Sequence, residues 1–368
     1  MRKLIRKRYG SASKVCSLVS DAEVPEISAH PKAEEVGIVV VKVIAAAMSP
    51  ADYRLVEGWL SLVVSEKMPA GLGLELSGVV VKTSSDKFEV GDEVFGELEA
   101  DESGAFADFC ACAETSLAKK PSNISHIDAA ALPVAAIVLG ALSPYVEKIR
   151  DGKILVLGGS AATGAYICQL CRNVFGAKYI AATSSKIDFC RTNGCDTVYN
   201  YKLGEKWWET TTTTKESTTT HKKKELADFD IVFDCVGGDS WQEAHDHLPS
   251  TSTFVTFVPV PEGPLTVTRA VGAVGATFGR GIATTFGIHC SWAMVMAQPN
   301  ATNLQQVADY LQNHKIKPLV DTTYDFTLPN VITMLDRQKQ KLVKGRQICT
   351  IHTESQATEL KESLRSSS

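Results

Sequence analysis

The sequence predicts an α/β protein of two domains, one β-rich and one a doubly wound parallel sheet, on three observations. Near Ala129-Ala130-Ala131-Leu132-Pro133 the texture changes from strands and turns to alternating strands and helices. The stretch Lys153–Gly164 runs from the apolar Ile154–Leu157 through Gly158-Gly159-Ser160-Ala161-Ala162 into a helix that starts at Thr163. And 368 residues are long for one domain but comfortable for two.

In chain order, the basic start Met1–Gly10 is read as a first edge strand with lysine and arginine on its solvent side, in preference to a transit peptide. Residues 36–48 form a long β segment broken by Ser49-Pro50-Ala51-Asp52-Tyr53, and Gly73–Lys82 and Val90–Leu98 add short strands. Gly104–Phe109 starts another. Beyond residue 133, strands are expected at Ile154–Leu157, Tyr179–Thr183, Thr197–Tyr199, Ile231–Cys235 and Thr253–Val258. Helices fall between them at Gly164–Phe175, Lys186–Asn193 and Ser240–His247. Strand, helix, strand in succession implies parallel pairing through right-handed crossovers. The Thr- and Lys-rich segment 209–224 has nothing to bury and is expected to be a disordered insertion. Asn303–His314 is an amphipathic helix, Pro318–Phe326 and Gln347–His352 are strands returning to the first domain, and 354–368 is a polar, frayed tail. The domains are therefore 1–133 with 303–353, and 134–302.

Composition narrows the function. A net charge of −4 gives no electrostatic case for nucleic acid, and no apolar run reaches the roughly 20 residues of a membrane span. Ten cysteines without a small secreted framework read as reduced thiols. Cys168 and Cys171 fall inside a helix rather than at its start, so they are core, and Cys110 and Cys112 are too few for a structural zinc site. His245 and His247, two apart on a helix, face different directions and are read as surface residues.

The chemistry lies at the Gly-rich turn, Gly158, Gly159, Ser160, Ala161, Ala162, Thr163 and Gly164. The unpaired amides and positive dipole end of the helix behind it make a seat for a pyrophosphate. After the second strand comes Ser184-Ser185-Lys186, with no acid until Asp188, and Tyr201 follows the third strand. Hydroxyls and an ammonium in place of a carboxylate favour NADPH over NADH.

Together with Ala46–Arg54, Gly73–Val80, Val90–Gly96, Gly104–Phe109, Ala129–Val134, Asn200-Tyr201 and Asp230–Gly238, these motifs resemble the zinc-independent medium-chain dehydrogenase/reductase superfamily, in its quinone oxidoreductase group. Phe229–Gly238 and Trp292–Val320 are similar to its reticulon-interacting mitochondrial oxidoreductase branch. The resemblance implies a GroES-like β-rich catalytic domain, a Rossmann domain, NADPH in the cleft between them and a homodimer. Gly159, Ala161, Ala162 and Gly164 would approach the pyrophosphate, and Ser184, Lys186 and Tyr201 the 2′-phosphate. Val236 and Gly237 would lie along a ribose, and Lys344 and Arg346 would be further cofactor contacts, or solvated residues before an edge strand.

Zinc-dependent relatives place a cysteine near Ser49 and Gly-His-Glu where this chain has Gly73-Leu74-Glu75, and Leu74 cannot coordinate a metal. Four residues depart from the family pattern: Ser49 replaces an asparagine, Val138 a threonine, and Ala161 and Ala162 replace glycines. The expectation is a zinc-independent NADPH-dependent reductase of quinones or α,β-unsaturated carbonyls, with Ser49 and Tyr53 at the substrate oxygen. The alternatives are a nucleotide-binding protein with little or no turnover and an enoyl-thioester reductase. The cytoplasm is the expected compartment, and the mitochondrion is the alternative that the branch implies.

Overall fold

A computed structural model describes residues 1–59, 61–62, 67–99, 104–211, 222–224, 227–258, 263–264, 266, 268, 290–295, 298 and 300–366. The chain divides into two compact units, 1–140 with 263–265 and 297–368, and 141–262 with 266–296. The first is larger than 1–133 with 303–353 at each boundary, because residues 134–140 and the last segment pack with it.

The first unit opens with β1 (Lys3–Arg6) antiparallel to β2 (Cys16–Val19). Arg6 is not on the solvent side as expected: it is fully buried, donates to the Leu55 carbonyl at 2.9 Å and lies over the Tyr9 ring. The long β3 (Ile38–Met48) is almost wholly buried, as its unbroken Val/Ile/Ala run requires of a central strand. Helix α1 (Pro50–Val56) follows, started by a Ser49/Asp52 capping box and a proline in its first turn. Then come β4 (Glu75–Thr83), β5 (Glu93–Glu97), β6 (Phe109–Ala113) and β7 (Leu117–Lys119). The strand expected from Gly104 begins only at Phe109. Gly78 is required where β4 crosses β3, since a Cβ there would lie 2.1 Å from the Lys42 carbonyl oxygen. Helices α2 (His126–Ala130) and α3 (Pro133–Leu142) lead out of the unit.

The second unit is built on a six-stranded parallel sheet. Its strands are β8 (Lys153–Leu157), β9 (Tyr179–Thr183) and β10 (Thr197–Tyr199), with α4 (Ala162–Asn173) and α5 (Ile187–Thr192) between them. The ends of the insertion pair as a short antiparallel ribbon, β11 (Glu209–Thr211) with β12 (Lys222–Lys224), and 212–221 lie outside the described residues. The sheet continues with β13 (Ile231–Asp234), α6 (Ser240–His247), β14 (Thr253–Thr256) and β15 (Ser291–Met294). Spatial order is β10-β9-β8-β13-β14-β15, so the order reverses at β8/β13 and the strand ends there form a crevice. His247 is not a free surface residue: its ring stacks on Trp208, centroids 4.5 Å apart, and meets Trp207 edge-on.

The chain then rejoins the first unit through α7 (Ala301–Gln312), β16 (Val320–Asp325), α8 (Leu328–Lys339) and β17 (Arg346–Thr350). β17 is an interior strand, between β16 and β3, and not an edge. The expected frayed tail is instead helix α9 (Glu354–Ser366). Its Ala357, Leu360 and Leu364, at helical spacing, pack on Ile44 and Val79, and Lys361 pairs with Glu93 at 2.8 Å. Three apolar residues in a polar segment suffice because they share one face.

Candidate functional site

In the second unit, β8 ends at the Gly-rich turn. Gly158 takes φ +82°, and its N–H donates to Thr183 Oγ1 at 3.0 Å, while the Gly159 N–H donates to the Thr183 carbonyl at 3.1 Å. The turn is thereby seated on the end of β9. A Cβ at Gly159 would lie 2.6 Å from that of Ala182, and one at Gly164 would lie 2.4 Å from the Gly158 carbonyl oxygen. At Gly164 backbone passes backbone, and at Gly159 the side chains of Ala182 and Cys190 leave no room for a Cβ. Ala161 is the N-cap of α4 and supplies no side-chain cap, so the first amides of a 12-residue helix face the turn without an internal acceptor. Those amides, on a turn that its glycines let press closely onto the strand ends, fit a dinucleotide pyrophosphate. Ala161 and Thr163 are half-buried and Ala162 is buried.

Ser184 does not present its hydroxyl outward. It is 1% exposed, donates to Ser160 Oγ at 2.8 Å and accepts from the Lys186 N–H at 2.9 Å. Its role is a brace between the Gly-rich turn and the loop after β9. Ser185 is half-buried, and Lys186 and Tyr201 are exposed. They stand at the adjacent ends of β9 and β10, which the Ser184 N–H to Tyr199 carbonyl bond (3.0 Å) holds together.

Across the β8/β13 reversal stands the turn Cys235–Gly238. Val236 is 47% exposed and its Cγ2 borders Gly158, while Gly237 and Gly238 take φ +73° and +68°. The sequence reading missed Asp234, buried beneath this turn. An acid closing the apolar run Ile231–Phe233, just before two glycines, was the available signal.

In the first unit, Ser49 is 5% exposed. Its Oγ accepts from Ala51 N–H (3.2 Å), and its own N–H donates to Asp52 Oδ2 (2.7 Å). Asp52 Oδ1 accepts from the Gly73 N–H (3.1 Å), so this fully buried carboxylate ties Ser49 to the segment carrying Leu74 and Glu75. Burial pushes the Asp52 carboxyl up to about 6, against those hydrogen bonds.

Tyr53 is 7% exposed, meets Trp59 edge-on with centroids 5.5 Å apart, and its hydroxyl receives only a long 3.4 Å contact from Arg54 Nε. With Val56, Trp59, Leu335 and Ser11 it lines a cavity of about 440 Å³, in the size range of small-molecule sites.

Arg346 is neither solvated nor open to a cofactor. It is 4% exposed and ion-paired to Glu75, which is 1% exposed. Glu75 stands directly opposite Glu97 across β4 and β5, and Glu97 is also buried. Burial and the like charge of Glu75 push the Glu97 carboxyl well up, and burial raises Glu75 against the attraction of Arg346. Nothing local marks this cluster, since its members come from three distant stretches of chain. Lys344 is exposed.

Residues 35–122 match the family "Alcohol dehydrogenase GroES-like domain" and residues 193–328 match "Zinc-binding dehydrogenase". The chain is 31% identical over 338 residues to the 2-methylene-furan-3-one reductase of Solanum lycopersicum, covering 88% of this chain and 72% of the relative. It is 26% identical over 326 residues to the human mitochondrial NAD(P)H oxidoreductase RTN4IP1, covering 81% and 78%. Its fold is shared with a quinone oxidoreductase from Coxiella burnetii, at a TM-score of 0.72 and 21% identity over 96% of this chain and 99% of that one. With the strand order and Gly-rich turn described above, these matches make the chain a member of the medium-chain dehydrogenase/reductase superfamily and an oxidoreductase.

Proposed function

We propose that this protein transfers hydride from NADPH to a quinone or an α,β-unsaturated carbonyl compound, without zinc. The observation that carries the reading is the glycine cradle in front of the uncapped start of α4. Bound NADPH would supply the hydride, and the chain's own part is to hold and orient it. The α4 amides would take the pyrophosphate, Lys186 with Ser185 and Tyr201 the 2′-phosphate, and Val236 and Gly237 a ribose. Ser49 and Tyr53 would meet the oxygen that gains charge, and the weakly engaged Tyr53 hydroxyl is the better proton donor. Zinc independence is supported by Leu74, which offers no donor atom. A homodimer is supported by β15, which among the described residues leaves one side of the six-stranded sheet as an open ladder. No helix among the described residues is long and apolar enough to cross a membrane.

The test is loss of NADPH absorbance with a panel of benzoquinones, naphthoquinones and alkenals, with crotonyl-CoA alongside. Turnover of the thioester alone would make it an enoyl-thioester reductase. Thermal stabilisation by NADPH with no consumption of it would make it a binding protein, the reading that Ser49, Val138, Ala161 and Ala162 favour. Neither binding nor turnover would end the proposal. Lys186→Glu is expected to raise KM for NADPH about 10- to 100-fold, the worth of a charge-assisted hydrogen bond, and to leave KM for NADH unchanged. Steady-state kinetics with the two cofactors measures it, and an equal rise for both would remove Lys186 from the 2′-phosphate site.

A further inference from the structure

The Asp234 carboxylate closes β13 at the point where strand order reverses. It is 2% exposed, and among the described residues no cation pairs with it. A buried carboxylate is tolerated only when its oxygens are hydrogen-bonded, and here three donors converge on it. Oδ1 accepts from the N–H groups of Val236 (3.0 Å) and Gly237 (2.9 Å), and Oδ2 accepts from Thr256 Oγ1 (2.8 Å). Thr256 Oγ1 in turn accepts from the Val258 N–H at 3.1 Å. One side chain therefore clamps the turn after β13 to the end of β14.

That clamp sets the height of Val236. The Val236 Cγ2 atom would be 3.0 Å from a Cβ on Gly158, so the turn is packed against the Gly-rich loop itself. A Cβ on Gly237 would lie 2.8 Å from Val258 Cγ1, which shuts out the alternative of swinging the turn toward β14. Val236 is nevertheless 47% exposed, an apolar side chain held open to solvent at the crevice. Every lone pair direction the carboxylate uses is directed at protein, so Asp234 acts through Val236 and Gly237 and does not touch a ligand.

We propose that Asp234, braced by Thr256, is the positioning residue that holds the Cys235–Gly238 turn at the height needed to receive the nicotinamide half of the dinucleotide. This rests on the NADPH reading above. In the Asn variant one oxygen becomes an amide N–H2, which cannot accept, so either the two turn amides or the Thr256 hydroxyl lose their acceptor.

The experiment compares wild type, Asp234→Asn and Thr256→Val in binding of two probes, NADPH and adenosine 2′,5′-bisphosphate, which carries the adenosine end alone. Steady-state KM and kcat are measured in parallel. For Asp234→Asn, NADPH binding is expected to weaken roughly tenfold, the scale seen when the outer partner of a binding group is lost. KM for NADPH should rise with it while kcat changes little, and binding of the bisphosphate should not change. Thr256→Val keeps both turn amides bonded and should show a smaller shift of the same kind. Equal weakening for both probes means general damage and overturns the proposal, as does no change for either. If Asp234→Asn does not fold, Thr256→Val decides by the same comparison. Wild type that binds neither probe refutes the NADPH reading itself.

Discussion

Arg346→Leu is expected to cost about 3–5 kcal/mol of folding stability near pH 8, because it strands buried carboxylates without their cation. The cost should shrink below pH 5. Asp52, Glu75 and Glu97 all hold their protons more tightly in the folded chain than in the unfolded one, chiefly through burial. Their contribution to stability is therefore fully present below the unfolded carboxyl value of about 4, and is lost as pH rises through the folded values, about 6 for Asp52 and raised for the two glutamates. At low pH the acids are neutral in both states and the guanidinium has little left to offset. Urea midpoints of wild type and variant at the two pH values measure this, and an equal loss at both would contradict it. Glu97→Gln removes an acid and keeps the cation, so it should stabilise the protein at pH 8 and be near neutral at pH 4.

Gly164→Ala should reduce NADPH affinity about 10- to 100-fold, the worth of a charge-assisted hydrogen bond between the α4 amides and a phosphate. Its Cβ would sit 2.4 Å from the Gly158 carbonyl oxygen and 3.0 Å from Gly159 Cα. Both are backbone atoms, so the first turn of α4 must back away from the strand end rather than a side chain give way. The same overpacking should destabilise the fold by about 1–3 kcal/mol. Calorimetric titration with NADPH and a thermal melt without it separate the two effects. Unchanged affinity would mean that the helix start is not where the pyrophosphate sits.

The parallel sheet was legible because its strands are buried on both faces, so Ile154–Leu157 and Ile231–Phe233 stand out as apolar runs at βα spacing. The Gly-rich turn was legible because the need for absent side chains is written directly as Gly158, Gly159 and Gly164. The fate of Arg346 was not: its partner Glu75 lies 271 positions away, and only the assembled sheet shows that both are inside. Ser184 has the same lesson at shorter range. A serine after a strand matches a phosphate ligand by type, yet its hydroxyl turned inward to Ser160 and Lys186. Helix α9 was obscured by a polar composition in which three apolar residues carry the packing.

The register of β17 bears on how the chain is made. Gln347 pairs with Met48 and Thr350 with Ala45, so the first sheet lacks an interior member until residues 346–350 have left the ribosome. Until then the Ala45–Met48 end of β3 waits unpaired on one side, its Ile38–Lys42 end being covered there by β6, while residues 141–262 have long since emerged. Synthesis therefore sets the order of assembly: the half that starts first is the half that finishes last, and nascent chains stalled short of residue 346 present an apolar strand to chaperones.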